Sequence, residues 1–392
     1  MKTLAQIIIA FPVAYLVVAS LYQLILAIAS TFKTARVVVK EEGLSKFLIL
    51  VPAYKEDQVI QQTVKLNLQH RYEYPKEHFD LVVIADQLQP ETHTALEQMG
   101  AKVHAVSFDK STKVKSLQSA MNHYKNGYDA VVVLDADNVM ERGFLFKANR
   151  LMKSGLRAVQ GLRKAANSNT STALMDGLSE TANTAMLCQG ANNLGLSSKL
   201  SGSAMVFDYS LFDTVIAQCK AIGGFDKEME LILTKGGEFI HYSEQISVLD
   251  QKVSSTEAFT RQRGRWLEAQ YTYFKRSIRE SMVQLAKGNF DFFHKVMQLA
   301  LPPRAVAPFA ITLFALTGLL LKSQVLFVAS TGALLALIIA YLLVLPTQAL
   351  LRESFRIAFS LPKIGWAAFK ALLLMQKSKK EFIHTEHQIL EL

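Results

Sequence analysis

Cysteine is scarce: Cys188 and Cys219 are the only two in 392 residues. They make neither a disulfide framework nor a cysteine-based metal site, and they read as small buried hydrophobes in a body on the reducing side of a membrane. No Gly-x-Gly-x-x-Gly follows the first apolar run and no Gly-Lys-Ser/Thr element occurs, which argues against a dinucleotide cofactor and a P-loop. Arginine-rich runs, zinc-ligand spacings and RNA-recognition signatures are also missing. The formal charge of +10 admits nucleic acid, anionic lipid or phosphate-bearing small molecules as partners, and the missing motifs make nucleic acid the weakest of the three. Internal repeats and low-complexity linkers are absent. So are acidic residues within the long apolar stretches, which makes a transporter a poor fit.

Half of the chain is hydrophobic, and these residues concentrate at its two ends. Residues 4–29 form an uncharged stretch with Tyr15 and Tyr22, long enough to span a bilayer and too long for a signal-peptide core, so a retained signal anchor is expected. Lys33, Arg36 and Lys40 outnumber Lys2, and the positive-inside bias puts the following body in the cytoplasm. Residues 305–321 and 324–345 are two further candidate spans. An interfacial segment at 286–304, carrying Phe292 and Phe293, precedes them. A basic cytoplasmic tail at 346–392 follows, with an interfacial helix near 364–375 set off by Pro362. The layout suits a bacterial inner membrane protein.

Between the ends, residues 45–285 alternate short apolar runs with helical patterns. Runs at 47–51, 81–86, 102–106 and 131–134 read as buried parallel strands, and helices are expected near 60–68, 91–98 and 113–124. That pattern implies an α/β, Rossmann-like domain with a mostly parallel sheet covered on both faces. A strand at 157–161, a helix over 171–194, a small-residue turn leading into a strand near 200–207, and a long helix from 255 to 279 complete the expected body.

The run Val131-Val132-Val133-Leu134 ends in Asp135-Ala136-Asp137. At a strand's C-terminal end, two carboxylates spaced i, i+2 can share a hard divalent cation; an isolated Asp-x-Asp also serves as a turn or helix cap. Gly223-Gly224-Phe225-Asp226-Lys227-Glu228-Met229-Glu230-Leu231 reads as a loop opening a helix with acids in its first turns. In Gln262-Arg263-Gly264-Arg265-Trp266, a regular helix would place Gln262, Arg265 and Trp266 on one face.

In this order along the chain, Val51-Pro52-Ala53-Tyr54-Lys55-Glu56-Asp57, Asp86, Asp135-Ala136-Asp137, the Gly-Gly-Phe loop acids and Gln-x-x-Arg-Trp resemble the membrane-bound, inverting, nucleotide-sugar-dependent glycosyltransferases of family 2. That group includes cellulose, chitin and hyaluronan synthases and ceramide glucosyltransferases, and the resemblance covers about residues 45–270. It implies a GT-A fold and a UDP-sugar donor. Pro52, Tyr54, Glu56 and Asp86 would hold the nucleoside, with Lys115 near the uracil. Asp135 and Asp137 would bind the diphosphate through Mg2+ or Mn2+. Glu228 falls at the position of the family's aspartate base, with Asp226 and Glu230 as rivals. Gln262 and Arg265 would contact the diphosphate, and Trp266 would stack on the acceptor. The segment 382–387 would close over the site.

The implied acceptor is a glycan or a lipid at the membrane. Three spans are few for a translocation pore, so processive synthesis would call for an oligomer or an export partner. A non-catalytic nucleotide-sugar sensor or scaffold is the competing expectation, kept alive by Glu228 in place of the aspartate.

Overall fold

The structure is a computed structural model that describes residues 2–33, 38–39, 41–69, 73–125 and 127–374. Arg36, Lys40 and the expected closing segment 382–387 lie outside the described residues.

Helix α1 (Lys2–Ser30) leads into β1 (Phe47–Tyr54), α2 (Asp57–Gln69), β2 (Phe79–Asp86), α3 (Pro90–Met99), β3 (Lys102–Val106), α4 (Lys113–His123) and β4 (Ala130–Val133). Strands β3, β2, β1 and β4 lie side by side and parallel, in the Rossmann-like arrangement expected from the apolar runs. The residues of β1, β2 and β4 are largely buried on both faces, whereas the edge strand β3 is partly exposed. Phe47, Ile49 and Val51 enter one core and Leu48 and Leu50 the other, as the twofold pleat requires. In this register Tyr54 lies beside Asp86 and Val133 beside Leu50, so the ends carrying Tyr54, Asp86 and Asp135 share one rim.

The second half of the sheet is mixed. After β5 (Val139–Met140), α5 (Phe144–Met152) and β6 (Ala158–Ala165) comes helix α6 (Ser171–Asn183), which continues through a π-helical segment, Thr184–Gly190, into α7 (Ala191–Asn193). Next are β7 (Met205–Asp208), α8 (Tyr209–Gln218), α9 (Phe225–Lys235) and β8 (His241–Asp250). Strand β7 runs antiparallel to β4 and β6, β8 runs parallel to β6, and the full order is β3-β2-β1-β4-β7-β6-β8-β5. The edge pair β5–β8 returns the chain just beyond Asp137 to the sheet, against the strand that ends in Asp250.

Helices α10 (Thr256–Ala286), α11 (Phe290–Leu299), α12 (Ala307–Leu320), α13 (Gln324–Val344), α14 (Thr347–Arg352) and α15 (Ser354–Leu374) complete the described chain. Among the described residues, two segments are long and apolar enough to cross a membrane: Ile9–Ser30 and Gln324–Val344. Helix α12 is apolar but shorter than the expected span, and it packs with α1 and α13 through Leu16, Ile311, Ala333 and Leu337. Two other expectations give way to packing. Phe292 and Val296 of α11 are buried in the body's core, not laid along a surface, because α11 docks against α9 and α10. Pro362 lies inside α15 and does not end it.

Contact between α1 and the π-helical segment depends on Gly190: a Cβ there would collide with the carbonyl oxygen of Leu26. Backbone, unlike a side-chain tip, cannot swing aside. Gly190→Ala should therefore destabilise the protein by about 1–3 kcal/mol, read as a lower thermal midpoint in detergent.

Candidate active site

Asp135, Asp137 and Asp250 each bring a carboxylate oxygen to a common point, with the three atoms within 4.8 Å of one another. The first two leave the C-terminal end of β4 and the third ends β8, so the cluster forms across the sheet. Asp137 and Asp250 are buried, while the Asp135 side chain is partly open.

Asn138 fixes the geometry, donating through Nδ2 to Asp137 Oδ1 at 2.9 Å and to Asp250 Oδ1 at 2.8 Å. Its own backbone is held by Asn67, whose Nδ2 donates to Asn138 O at 3.0 Å. Ser203 Oγ accepts from the Asp135 amide at 2.9 Å and donates to Asn138 Oδ1 at 2.5 Å. Three aligned carboxylates with an ordering shell form an all-oxygen donor set, the kind that suits Mg2+ or Mn2+.

Cations surround the acids. Lys113 Nζ pairs with Asp135 and donates to Gly202 O at 2.8 Å. Arg163 Nη2 meets Asp250 at 2.5 Å and its Nη1 donates to Ser201 O at 2.9 Å. Lys252 pairs with Asp250 and Glu180. Burial pushes the Asp250 carboxyl up, Arg163 pulls it back, and Asp137 adds to the rise. Removing Arg163 would leave these acids facing one another with less compensation. Arg163→Gln should cost about 3–5 kcal/mol of stability in metal-free buffer, measured by denaturant unfolding.

On the adjoining rim, Asp86 is 1% exposed and neither carboxylate oxygen has a hydrogen-bond partner among the described residues. Burial raises its pKa, offset in part by Ser111 and Lys55 nearby. A buried acceptor left open at a strand end is suited to a ligand N–H or hydroxyl. Pro52 and Tyr54 lie half-buried at the end of β1, and Glu56 is buried where α2 begins. Lys115 is exposed, and its Nζ donates to Lys110 O at 2.8 Å. The lysine that reaches the acids is Lys113.

Helix α9 starts at a tight junction. Gly224 has φ +68°, and a Cβ there would stand 2.6 Å from Ala269 Cβ of α10. Phe225 then lies under Lys113, whose Nζ is 5.0 Å from the ring centre. Asp226 pairs with Lys227 at 3.4 Å. Glu228 Oε2 accepts the backbone N–H groups of Lys220 at 2.8 Å and Ala221 at 2.7 Å, closing the loop before α9. Glu230 is buried, accepts from Leu200 N at 2.7 Å and faces Lys295 at 3.6 Å. Its pKa is raised by burial, with Lys295 opposing.

Helix α10 carries Gln262, Arg265 and Trp266. Gln262 Oε1 is buried without a partner among the described residues, the pKa of Arg265 is lowered by burial and by Arg261, and Trp266 is 40% exposed. Arg263, which the sequence left without a role, packs its guanidinium 4.5 Å from the Trp266 ring centre and 5.0 Å from that of Phe259, and pairs with Asp176. It links the Trp266 face to α6.

Residues 45–269 match the profile of the family described as "Glycosyltransferase like family 2". Among solved structures, a mannosyltransferase from Pyrobaculum calidifontis in complex with GDP-Man and Mn2+ aligns over 95% of this chain and 99% of its own, with TM-score 0.58 and 17% identity. Glucosyl-3-phosphoglycerate synthase from Mycobacterium tuberculosis aligns over 55% of this chain and 75% of its own, with TM-score 0.40 and 16% identity. At these identities the likeness is one of fold. No curated protein matches the sequence.

Proposed function

The chain belongs to the glycosyltransferase family 2-like proteins, and from that premise we propose a membrane-bound, inverting enzyme that transfers a sugar from a UDP-sugar to an acceptor held at the membrane. The observation that carries this reading is the convergence of Asp135, Asp137 and Asp250 beside Lys113 and Arg163. These residues would hold Mg2+ or Mn2+, which when bound supplies charge neutralisation for the diphosphate leaving group. Mn2+ and a sugar nucleotide occur together in the mannosyltransferase that shares the fold.

The chain's own groups supply the rest. Asp86, with Pro52, Tyr54 and Glu56, holds the nucleoside at the rim formed by β1 and β2. Arg265 and Gln262 approach the diphosphate from α10, where a planar guanidinium suits phosphate oxygens. Trp266 lines the acceptor side. A carboxylate at the start of α9 removes the proton from the acceptor hydroxyl as it attacks the anomeric carbon from the face opposite the diphosphate, so the configuration inverts. Two residues fit that role. Glu228 holds the family position, but its carboxylate is engaged by two backbone amides, which favours Asp226.

The membrane reading rests on α1 and α13, and α12 joins them as the third member of the apolar bundle. The helix bearing Gln262 and Trp266 packs through Phe259 onto Ile364 and Ala367 of α15 and onto Ala305, just ahead of α12, so this end of α10 adjoins the apolar helices. That placement favours a lipid acceptor over a soluble glycan. Labelled sugar supplied as UDP-sugar to membranes should enter the organic-extractable fraction; label found only in solvent-insoluble polymer would indicate a glycan acceptor.

A further inference from the structure

Polar groups outside the transfer centre line the seam between the apolar helices and the body. The connection from α11 to α12 is pinned there: Tyr15 Oη donates to Ala300 O at 2.5 Å, and Gln270 Nε2 donates to Leu299 O and Leu301 O, both at 2.9 Å. Arg304 lies on this connection. Both of its Nη atoms are closed off from solvent and have no hydrogen-bond partner among the described residues. Beyond burial, the groups acting most strongly on its charge are Tyr341, Arg263, Tyr22 and Cys188, none of them a carboxylate. Tyr22 Oη is shared with His294 Nε2 at 2.7 Å, and His294 Nδ1 is itself unpartnered. Arg263 spends Nη2 on Asp176 but leaves Nε buried and open.

A guanidinium cannot shed its proton to escape burial, and an unpaired buried charge is costly. A guanidinium with both Nη groups unfilled is a receptor for an anion, and its fork geometry suits phosphate oxygens. The other wall of the seam is apolar: Leu26, Ala340, Leu301 and Val344 pack together beside Tyr22 and Tyr341. A ligand that satisfies both walls is an amphiphile.

We propose that Arg304 binds the phosphate of a lipid at the seam between the apolar helices and the catalytic body. The inference rests on the membrane reading above and names the chemical class of lipid that the acceptor side receives.

The test uses the full chain purified in neutral detergent, without donor or turnover, so its result is independent of whether the protein transfers sugar. Binding of phosphatidic acid, diacylglycerol and inorganic phosphate is measured for the parent, Arg304→Gln and Arg304→Lys. The expected result is saturable phosphatidic acid binding, weakened about tenfold or more in Arg304→Gln and partly retained in Arg304→Lys. Diacylglycerol should bind far more weakly. Lipid-free Arg304→Gln should have a thermal midpoint no lower than the parent, because the change removes an unpaired buried charge. Equal binding of diacylglycerol, or unchanged phosphatidic acid binding in Arg304→Gln, would overturn the proposal. A lower midpoint for lipid-free Arg304→Gln would assign the arginine a structural role instead. Inorganic phosphate binding as tightly as phosphatidic acid would make the ligand free phosphate and overturn the lipid assignment.

Discussion

Asp137→Asn should lower sugar transfer by about a thousandfold at saturating donor while leaving the protein folded. The side chain keeps its shape, and its carbonyl oxygen can still accept from Asn138 Nδ2, the 2.9 Å bond that now holds the carboxylate. What is lost is one negative charge out of three at the point where a cation and a diphosphate would meet. Asp137 is 2% exposed and lies close enough to Asp250 to raise its pKa, so neutralising Asp137 relieves a like-charge contact. Thermal unfolding without metal should therefore show a midpoint equal to or above that of the parent. A fall in activity accompanied by collapse of the fold would assign Asp137 to the structure and not to the chemistry.

The second large effect separates the candidate bases. Asp226→Asn should cost about a hundredfold or more in kcat with little change in the apparent affinity for donor, as expected when a proton acceptor is removed. Glu228→Gln retains an oxygen that can accept from the Lys220 and Ala221 amides, and turnover should stay within about tenfold of the parent. The reverse pattern, an inactive Glu228→Gln beside an active Asp226→Asn, would restore the base to the position implied by family resemblance. It would also mean that the loop before α9 reorganises when acceptor binds. Glu230 is the weakest of the three, because Leu200 N and Lys295 already occupy it in the interior.

The sequence revealed the parallel half of the sheet because buried parallel strands are written as uninterrupted apolar runs, and β1, β2 and β4 are such runs. Strand β8 was not visible. Its residues, His241-Tyr242-Ser243-Glu244-Gln245-Ile246-Ser247-Val248-Leu249-Asp250, are mostly polar at the start, and they pair with β6 through a register shift near Gly161 and Leu162. Asp250, the third acid, ends this strand and is brought to Asp135 and Asp137 only by tertiary folding, so no local pattern marks it. Lysines 113 and 115 show a finer limit. Nothing in the sequence marks Lys113, which reaches Asp135, apart from Lys115, two residues on and on another side of α4. The choice depends on where the helix starts within the sheet, which local sequence does not encode. The same holds for α11, whose Phe292 and Phe293 suggest a surface-seeking helix until the groove between α9 and α10 buries Phe292.

The most direct measurement is diphosphate-nucleotide release by the detergent-purified chain across a panel of UDP- and GDP-sugars, with Mn2+ or Mg2+ and then with excess EDTA, beside Asp137→Asn. The account predicts UDP release from one donor, abolished by EDTA and by the substitution. Release that persists in EDTA, or that Asp137→Asn leaves unchanged, would contradict a metal-assisted transfer centred on Asp135, Asp137 and Asp250.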